Sequence, residues 1–278
     1  MAYKHIIAVL TGADDPSPAL GYAAALSEVH DAHLDALCLG VDNTPYTYTE
    51  MGANAALMQA AIETAHETAA EIEASALSFL ETGTVRWGVI KAITSAPGMG
   101  RTVALQARLA DLAVIGLPYG PDHQPAESAA LEGLLFDADC PTVVVPQGAT
   151  NARPKSVVIG WNESSEALRA VRASMPILKS AKSVHIAIID PPDHGPERSD
   201  PGGTLAVYLS RHGIHCDIQV LSRQGEKVSA RLARHVTETG SDMLVMGGYG
   251  HSRFREAVLG GATREMLEHS KVPVLMAH

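Results

Sequence analysis

The sequence predicts an α/β protein made of two tandem, open, mostly parallel five-stranded sheets with helices on both faces. Three observations predict it. The chain has 278 residues, more than the ~100–200 typical of one domain, which suits two domains of about 140 residues each. Short apolar β-branched runs alternate with helix-forming stretches through both halves, the pattern of strand–helix–strand units. The punctuation of the first half also returns in the second. Lys4-His5-Ile6-Ile7-Ala8-Val9 is answered by Lys155-Ser156-Val157-Val158-Ile159-Gly160, 151 positions later. Ala110-Asp111-Leu112-Ala113-Val114-Ile115-Gly116 is answered by Ser241-Asp242-Met243-Leu244-Val245-Met246-Gly247, displaced by 131. Cys140-Pro141-Thr142-Val143-Val144-Val145 matches Val272-Pro273-Val274-Leu275-Met276, with the prolines 132 apart.

Taken in order, the first strand covers 4–9. Asp14-Asp15 follow it, but Pro16 and Pro18 beside them mark a turn and a helix start rather than metal chemistry. The unequal displacements place extra residues in the first half, where Thr44–Tyr48 reads as a polar loop and Glu50–Phe79 as an alanine-rich helix. The helix could cap a hydrophobic pocket, although plain packing explains its Ala, Met and Leu face equally. Arg86-Trp87-Gly88 reads as a surface strand segment. Residues 147–154 form a short polar joint, giving domains 1–150 and 151–278. In the second half strands are predicted at 155–160, 183–189, 214–221, 242–247 and 273–277. Pro191–Gly203 is expected to be a mobile loop before a helix near Leu205–Arg211. Parallel sheets of this kind hold ligands at the carboxyl ends of their strands, where the strand order reverses.

Composition narrows the partners. Hydrophobic residues make up 46% and charged residues 19%, which suits a globular chain. A net charge of −10 with scattered Lys and Arg offers no basic surface for nucleic acid. No apolar run reaches the roughly 18 residues of a membrane span, and the first ten residues enter a strand without a leader pattern, so a cytoplasmic protein is expected. Cys38, Cys140 and Cys216 are too few and too scattered for a disulfide framework and read as buried thiols.

The most specific feature follows the fourth strand of the second half. Gly247-Gly248-Tyr249-Gly250 is followed after nine residues by Gly260-Gly261-Ala262-Thr263-Arg264, a Gly-x2-Gly-x9-Gly spacing. Gly247 and Gly250 allow close backbone approach, and the helix expected after Gly261 offers free N–H groups to an anion. With Val245-Met246 before it and Val272-Pro273-Val274 after the helix, this segment resembles the ATP-binding class of universal stress proteins, UspA-like proteins of tandem-domain type. The resemblance implies a Rossmann-like fold of the adenine nucleotide alpha hydrolase kind. It also implies an adenine nucleotide, ATP or AMP, with Mg accompanying ATP. The implied binding set is Met246, Gly247, Gly250, Gly260, Gly261, Ala262 and Thr263, with Asn162 at the end of the first strand and Ile188, whose backbone would meet the adenine. Arg253 beside the loop is a candidate phosphate cation, and His251 a weaker one.

Two departures from the family pattern stand out. A Ser or Thr is usual at 261, where this chain has Gly261, and the nearest hydroxyl is two positions later on Thr263. The usual Asp at the end of the first strand is replaced by Trp161-Asn162-Glu163, and Asn162 carries no charge to hold a metal or act as a base. The first half has drifted further. Gly116-Leu117-Pro118-Tyr119-Gly120 loses an N–H at Pro118, and Leu131-Glu132-Gly133-Leu134 lacks a following hydroxyl pair, so no nucleotide is expected there. The glycines of either half could also serve simply as strand-to-helix turns.

Arg211-His212-Gly213-Ile214-His215-Cys216 contains three potential zinc ligands, but no second cluster faces it, and His215 with Cys216 are expected to enter a strand on opposite faces. These residues predict no metal site. The function expected is a regulatory, non-catalytic nucleotide-responsive stress protein. A scaffold carrying a small apolar ligand or a protein partner is the alternative, and slow ATP hydrolysis a weaker one. The resemblance also implies pairing of the final strands, Val143–Val145 with Val274–Met276, as a pseudo-dimer within one chain, and further homodimerisation.

Overall fold

The computed structural model describes residues 2–12, 17–43, 55–120, 125–191, 200–248 and 261–278. They fall into two compact units, Tyr3–Cys140 and a second from Pro141 to His278 that also takes in the first two residues.

The first unit runs β1 (His5–Leu10), α1 (Pro18–His30), β2 (His33–Asp42), α2 (Ala55–Leu80), β3 (Arg86–Ser95), α3 (Met99–Ala107), β4 (Leu112–Gly116) and α4 (Pro125–Glu132). Its strands are parallel in the order β3-β2-β1-β4. Ser17 caps α1 by accepting from the Leu20 amide, and Pro18 occupies the first turn, where its missing N–H costs nothing. Asp14 and Asp15 lie outside the described residues. The inner face of α2 is small: Ala65, Ala69 and Ala76 are buried with Ile72 and Leu80. That smallness lets the helix lie against β2 so closely that a Cβ on Gly40 would stand 2.8 Å from Ile93 and collide with the Ala65 carbonyl.

The second unit runs β5 (Thr142–Val145), β6 (Ser156–Gly160), α5 (Ser165–Leu178), β7 (Ser183–Ile189), α6 (Gly203–Arg211), β8 (Asp217–Leu221), α7 (Val228–Glu238), β9 (Met243–Gly247), α8 (Ala262–His269) and β10 (Val274–Ala277). The strand order is β5-β10-β9-β6-β7-β8. All neighbours are parallel except β5, which runs antiparallel to β10 with Val144 opposite Val274 and Val143 opposite Leu275. The compact units therefore part at Pro141, ahead of β5, whereas the sequence repeat sets its boundary at 150/151. The central strands are fully buried runs, Val157–Ile159 in β6 and Met243–Val245 in β9, as helices on both faces require.

One acidic residue fastens the start of the strands in each unit. Asp111 accepts from the amides of Lys4 and His5 at 2.7 and 3.0 Å, and Asp242 accepts from those of Lys155 and Ser156 at 2.5 and 3.4 Å.

One expectation needs correcting. His215 and Cys216 do not enter a strand, because β8 begins at Asp217. The residues before it are spent on ending α6: Gly213 takes φ +77° and the Ile214 amide returns to the Leu209 carbonyl at 3.0 Å. Cys38 and Cys140 are buried, and burial pushes both thiols up to about 12, far from thiolate chemistry at neutral pH. Cys216 is half-buried rather than buried. Among the described residues no group of three or more His, Cys, Asp and Glu side chains could hold a metal ion, and no helix is long and apolar enough to cross a membrane.

Candidate functional site

In the second unit β6 is flanked by β7 on one side and β9 on the other, so chain order reverses there and the carboxyl ends of these strands frame a crevice. Asn162, Ile188, Met246 and Gly247 lie at those ends, and Gly261, Ala262 and Thr263 begin α8. Gly250, Arg253 and Gly260, with His251, lie outside the described residues.

At the end of β6 the Trp161 amide donates to the Ala187 carbonyl at 2.9 Å. The chain then turns on Asn162, whose Oδ1 accepts from the Ser164 amide at 3.2 Å, and on Glu163, held at φ +61°. Asn162 thus uses its carbonyl oxygen to shape the turn, and its amide N–H groups remain for a ligand. Ser164 caps α5 by accepting from the Ala167 amide at 3.1 Å. In the same first turn Glu166 is held below the usual carboxylate range, chiefly by its own backbone N–H. The α5 N-terminus is therefore already served by its own side chains.

The β9 side contrasts with this. Gly247 closes the strand, and a Cβ there would stand 2.6 Å from the Ala167 nitrogen and 2.9 Å from the Glu166 carbonyl carbon. The reason for glycine at 247 is visible here: backbone meets the first turn of α5 with no room for a side chain. The next amide, Gly248, donates to the Ala277 carbonyl at 2.9 Å, and the Gly248 carbonyl lies 3.1 Å from Nδ1 of His278. Arg169 reaches from α5 to the His278 carbonyl.

Gly261 is the N-cap of α8, with φ −60° and ψ 154° and no side-chain capping bond. Its carbonyl accepts from the Glu265 amide at 3.2 Å. Thr263, the nearest hydroxyl in sequence, is buried at 4% exposure in the first turn of α8. Ile188 is also buried as a side chain, with its backbone in register with Val220 of β8, and Met246 is half-buried in register with Gly160.

Trp161, Glu166, Arg169 and His278 also border these strand ends and were not foreseen from the sequence. The indole N–H of Trp161 is buried with no hydrogen-bond partner among the described residues. Its position beside Asn162 was the available signal. The others become neighbours only through the packing of α5 on β9 and β10.

The match to known proteins follows the same division of the chain. A family model for universal stress proteins matches residues 154–278. A universal stress protein of Synechocystis is 28% identical over 92 residues, 33% of this chain and 31% of that relative, so the chain matches about a third of its length. A universal stress protein from Archaeoglobus fulgidus superposes with a TM-score of 0.72 at 15% identity, covering 98% of this chain and 97% of that one. A Pseudomonas aeruginosa protein described as functionally unknown gives 0.57 at 14% identity, covering 99% and 92%. At these identities the superpositions establish the universal stress protein fold, Rossmann-like and mostly parallel, over both units.

Proposed function

We propose that the universal stress protein domain binds one adenine nucleotide, ATP or AMP, at the carboxyl ends of β6, β7 and β9, and that the role is regulatory. The observation that carries this reading is the uncapped N-terminus of α8 at Gly261, which directly follows the Gly-x2-Gly-x9-Gly segment. An anion is favoured there by the helix dipole and by a cap residue that brings no side chain of its own. The unpartnered indole N–H of Trp161 and the free amide of Asn162 add donors at the same strand ends. In this reading residues 1–150 are a degenerate copy of the domain and 151–278 the binding copy. Asp111 and Asp242 performing one task in the two units support a tandem origin.

The described residues do not make a resident metal site, since Asn162 is uncharged and its oxygen already accepts a bond. Magnesium would arrive with ATP, and no step is assigned to it. Glu166, the carboxylate in the first turn of α5, is held low by its helix amide and is a weak proton acceptor at neutral pH. A cytoplasmic protein whose strands β5 and β10 pair within the chain fits this regulatory reading.

Mass spectrometry of small molecules released from the purified protein tests the proposal. Release of ATP or AMP in up to molar equivalence is expected. Absence of any nucleotide, together with no calorimetric heat on adding ATP or AMP, would reject it.

A further inference from the structure

A second opening lies away from the strand ends just described, between α7 and α8. It is a cavity of 540 Å³, continued toward the start of α7 by a section of 370 Å³ that shares Ala233, Met266 and His269 and is also lined by Glu265 and Glu268. Together they form a groove along the two helices. The larger section alone is within the ~300–1,000 Å³ range of small-molecule sites.

The corresponding place in the other unit differs. There α3 and the helical turn that follows α4 meet backbone to backbone: a Cβ on Gly133 would stand 2.6 Å from Gly100 Cα. The residues displaced by 131 and 132 positions are Arg231 and Glu265. Long side chains replace the glycine contact, and the helices are instead tied by Glu265, which accepts from Ser229 at 2.8 Å and from Lys227. Beyond this tie, among the described residues, the space over Leu244 and Val236 is bordered on α7 by the small Ala233.

The floor is apolar and the rim is cationic. Val236, Leu244 and Met266 are buried, while Arg234, His269 and Lys271 line the edge of the larger section with no carboxylate among its lining residues. Arg234 is committed to Glu226 at 2.7 Å and to Glu238 at 3.7 Å, and His269 interacts with Glu265. Lys271 is exposed and has no ion pair among the described residues. The carbonyls that end α7 do not claim it. Those of His235, Val236 and Thr237 accept from the Thr239 hydroxyl, the Ser241 amide and the Gly240 amide.

We infer that this groove binds an unbranched apolar carboxylate, its chain lying between α7 and α8 and its carboxylate at Lys271. The occupant follows from an apolar floor between two helices and, on the rim of the larger section, a cation, Lys271, with no ion pair among the described residues. This site is independent of the nucleotide reading.

Decanoate and decanol, titrated below aggregation into the full-length protein by calorimetry, are the test. One decanoate per chain is expected, about three- to fivefold tighter than decanol, the increment of an exposed ion pair. Lys271→Glu should remove that preference and leave decanol within twofold. Ala233→Phe fills the groove and should weaken both ligands at least tenfold. Thr237→Phe, entering from the exposed rim, gives the same readout if Ala233→Phe fails to fold. Failure of wild-type protein to bind decanoate would overturn the inference, as would binding that survives both phenylalanine variants. Decanol equal to decanoate would overturn the role of Lys271. ATP titration of the same variants should be unchanged, so the outcome is separable from that of the nucleotide site.

Discussion

The two units share an order of strands and helices, yet they treat corresponding positions in opposite ways. In the first, Gly133, in the helical turn after α4, and Gly100 of α3 come into backbone contact. In the second, Ser229 and Lys227 hold Glu265 through side-chain bonds, and a cavity lies between the helices. After the fourth strand the first unit has Gly116-Leu117-Pro118-Tyr119-Gly120, where Pro118 has no amide to offer. The second has Gly247, pressed against α5, and an uncapped α8. The same fold can thus close its openings with glycine or keep them with side chains, and only residue-level contacts tell which.

The largest effect should come from the closed contact. Gly133→Val puts a branched side chain into the backbone of α3 and should cost about 3 kcal/mol, the upper range for overpacking, read from denaturant unfolding. At the corresponding position Glu265→Ala loses surface bonds to Lys227 and Ser229 and should cost less than ~1 kcal/mol. Equal losses would show that the two helix pairs are not built differently.

Gly247→Val is the next largest. Its Cβ would stand within 3 Å of two backbone atoms of α5, so a loss of about 2 kcal/mol is expected together with weaker nucleotide binding. Gly116 makes a suitable control, because a Cβ there meets nothing within 4 Å. If Gly116→Val and Gly247→Val are equally tolerated, the close approach of β9 to α5 is wrong.

Gly261→Ser acts on the open helix end. It should change stability by a few tenths of a kcal/mol, the usual difference between Gly and Ser at an N-cap. A hydroxyl that also reaches a phosphate should tighten ATP about tenfold, at the low end of a hydrogen bond to a charged group. Unchanged ATP affinity would place the phosphate elsewhere.

A smaller effect should appear with pH. Burial holds His235 below the ordinary imidazole value, reinforced by Arg231 on the same helix and His185 on β7, and opposed by Glu238. Near His185 lies Asp217, 3.9 Å away on β8. Because the folded value is depressed, the stability from neutral His235 is present above about pH 6.5 and is lost as pH falls from there through the lowered folded value. Thermal melts at pH 7.5 and 5.5 should differ less in His235→Gln than in the natural chain. Identical pH dependence in both would assign the acid sensitivity to another group.

Much of the architecture was legible because buried parallel strands must be continuous apolar runs, and Val157–Ile159 and Met243–Val245 are such runs. The displaced Asp111 and Asp242 marked the same strand start twice. Side-chain allocation was not legible. Nothing in the spacing tells that the Asn162 oxygen is taken by a local turn, that Thr263 is buried, or that His215 and Cys216 stop short of β8. Such outcomes depend on a residue's competing local partners. The helix groove was hidden for the same reason, since it opens where Arg231 and Glu265 stand at the positions that hold a glycine pair in the first half.

The account rests on one unit carrying the nucleotide site. Calorimetric titration of the full-length chain with ATP and AMP, in the natural sequence and in Gly250→Asp and Gly116→Asp variants, tests this most directly. The expected result is one nucleotide per chain, abolished by Gly250→Asp and unaffected by Gly116→Asp. Two equivalents bound, or a single equivalent that survives Gly250→Asp, would contradict it.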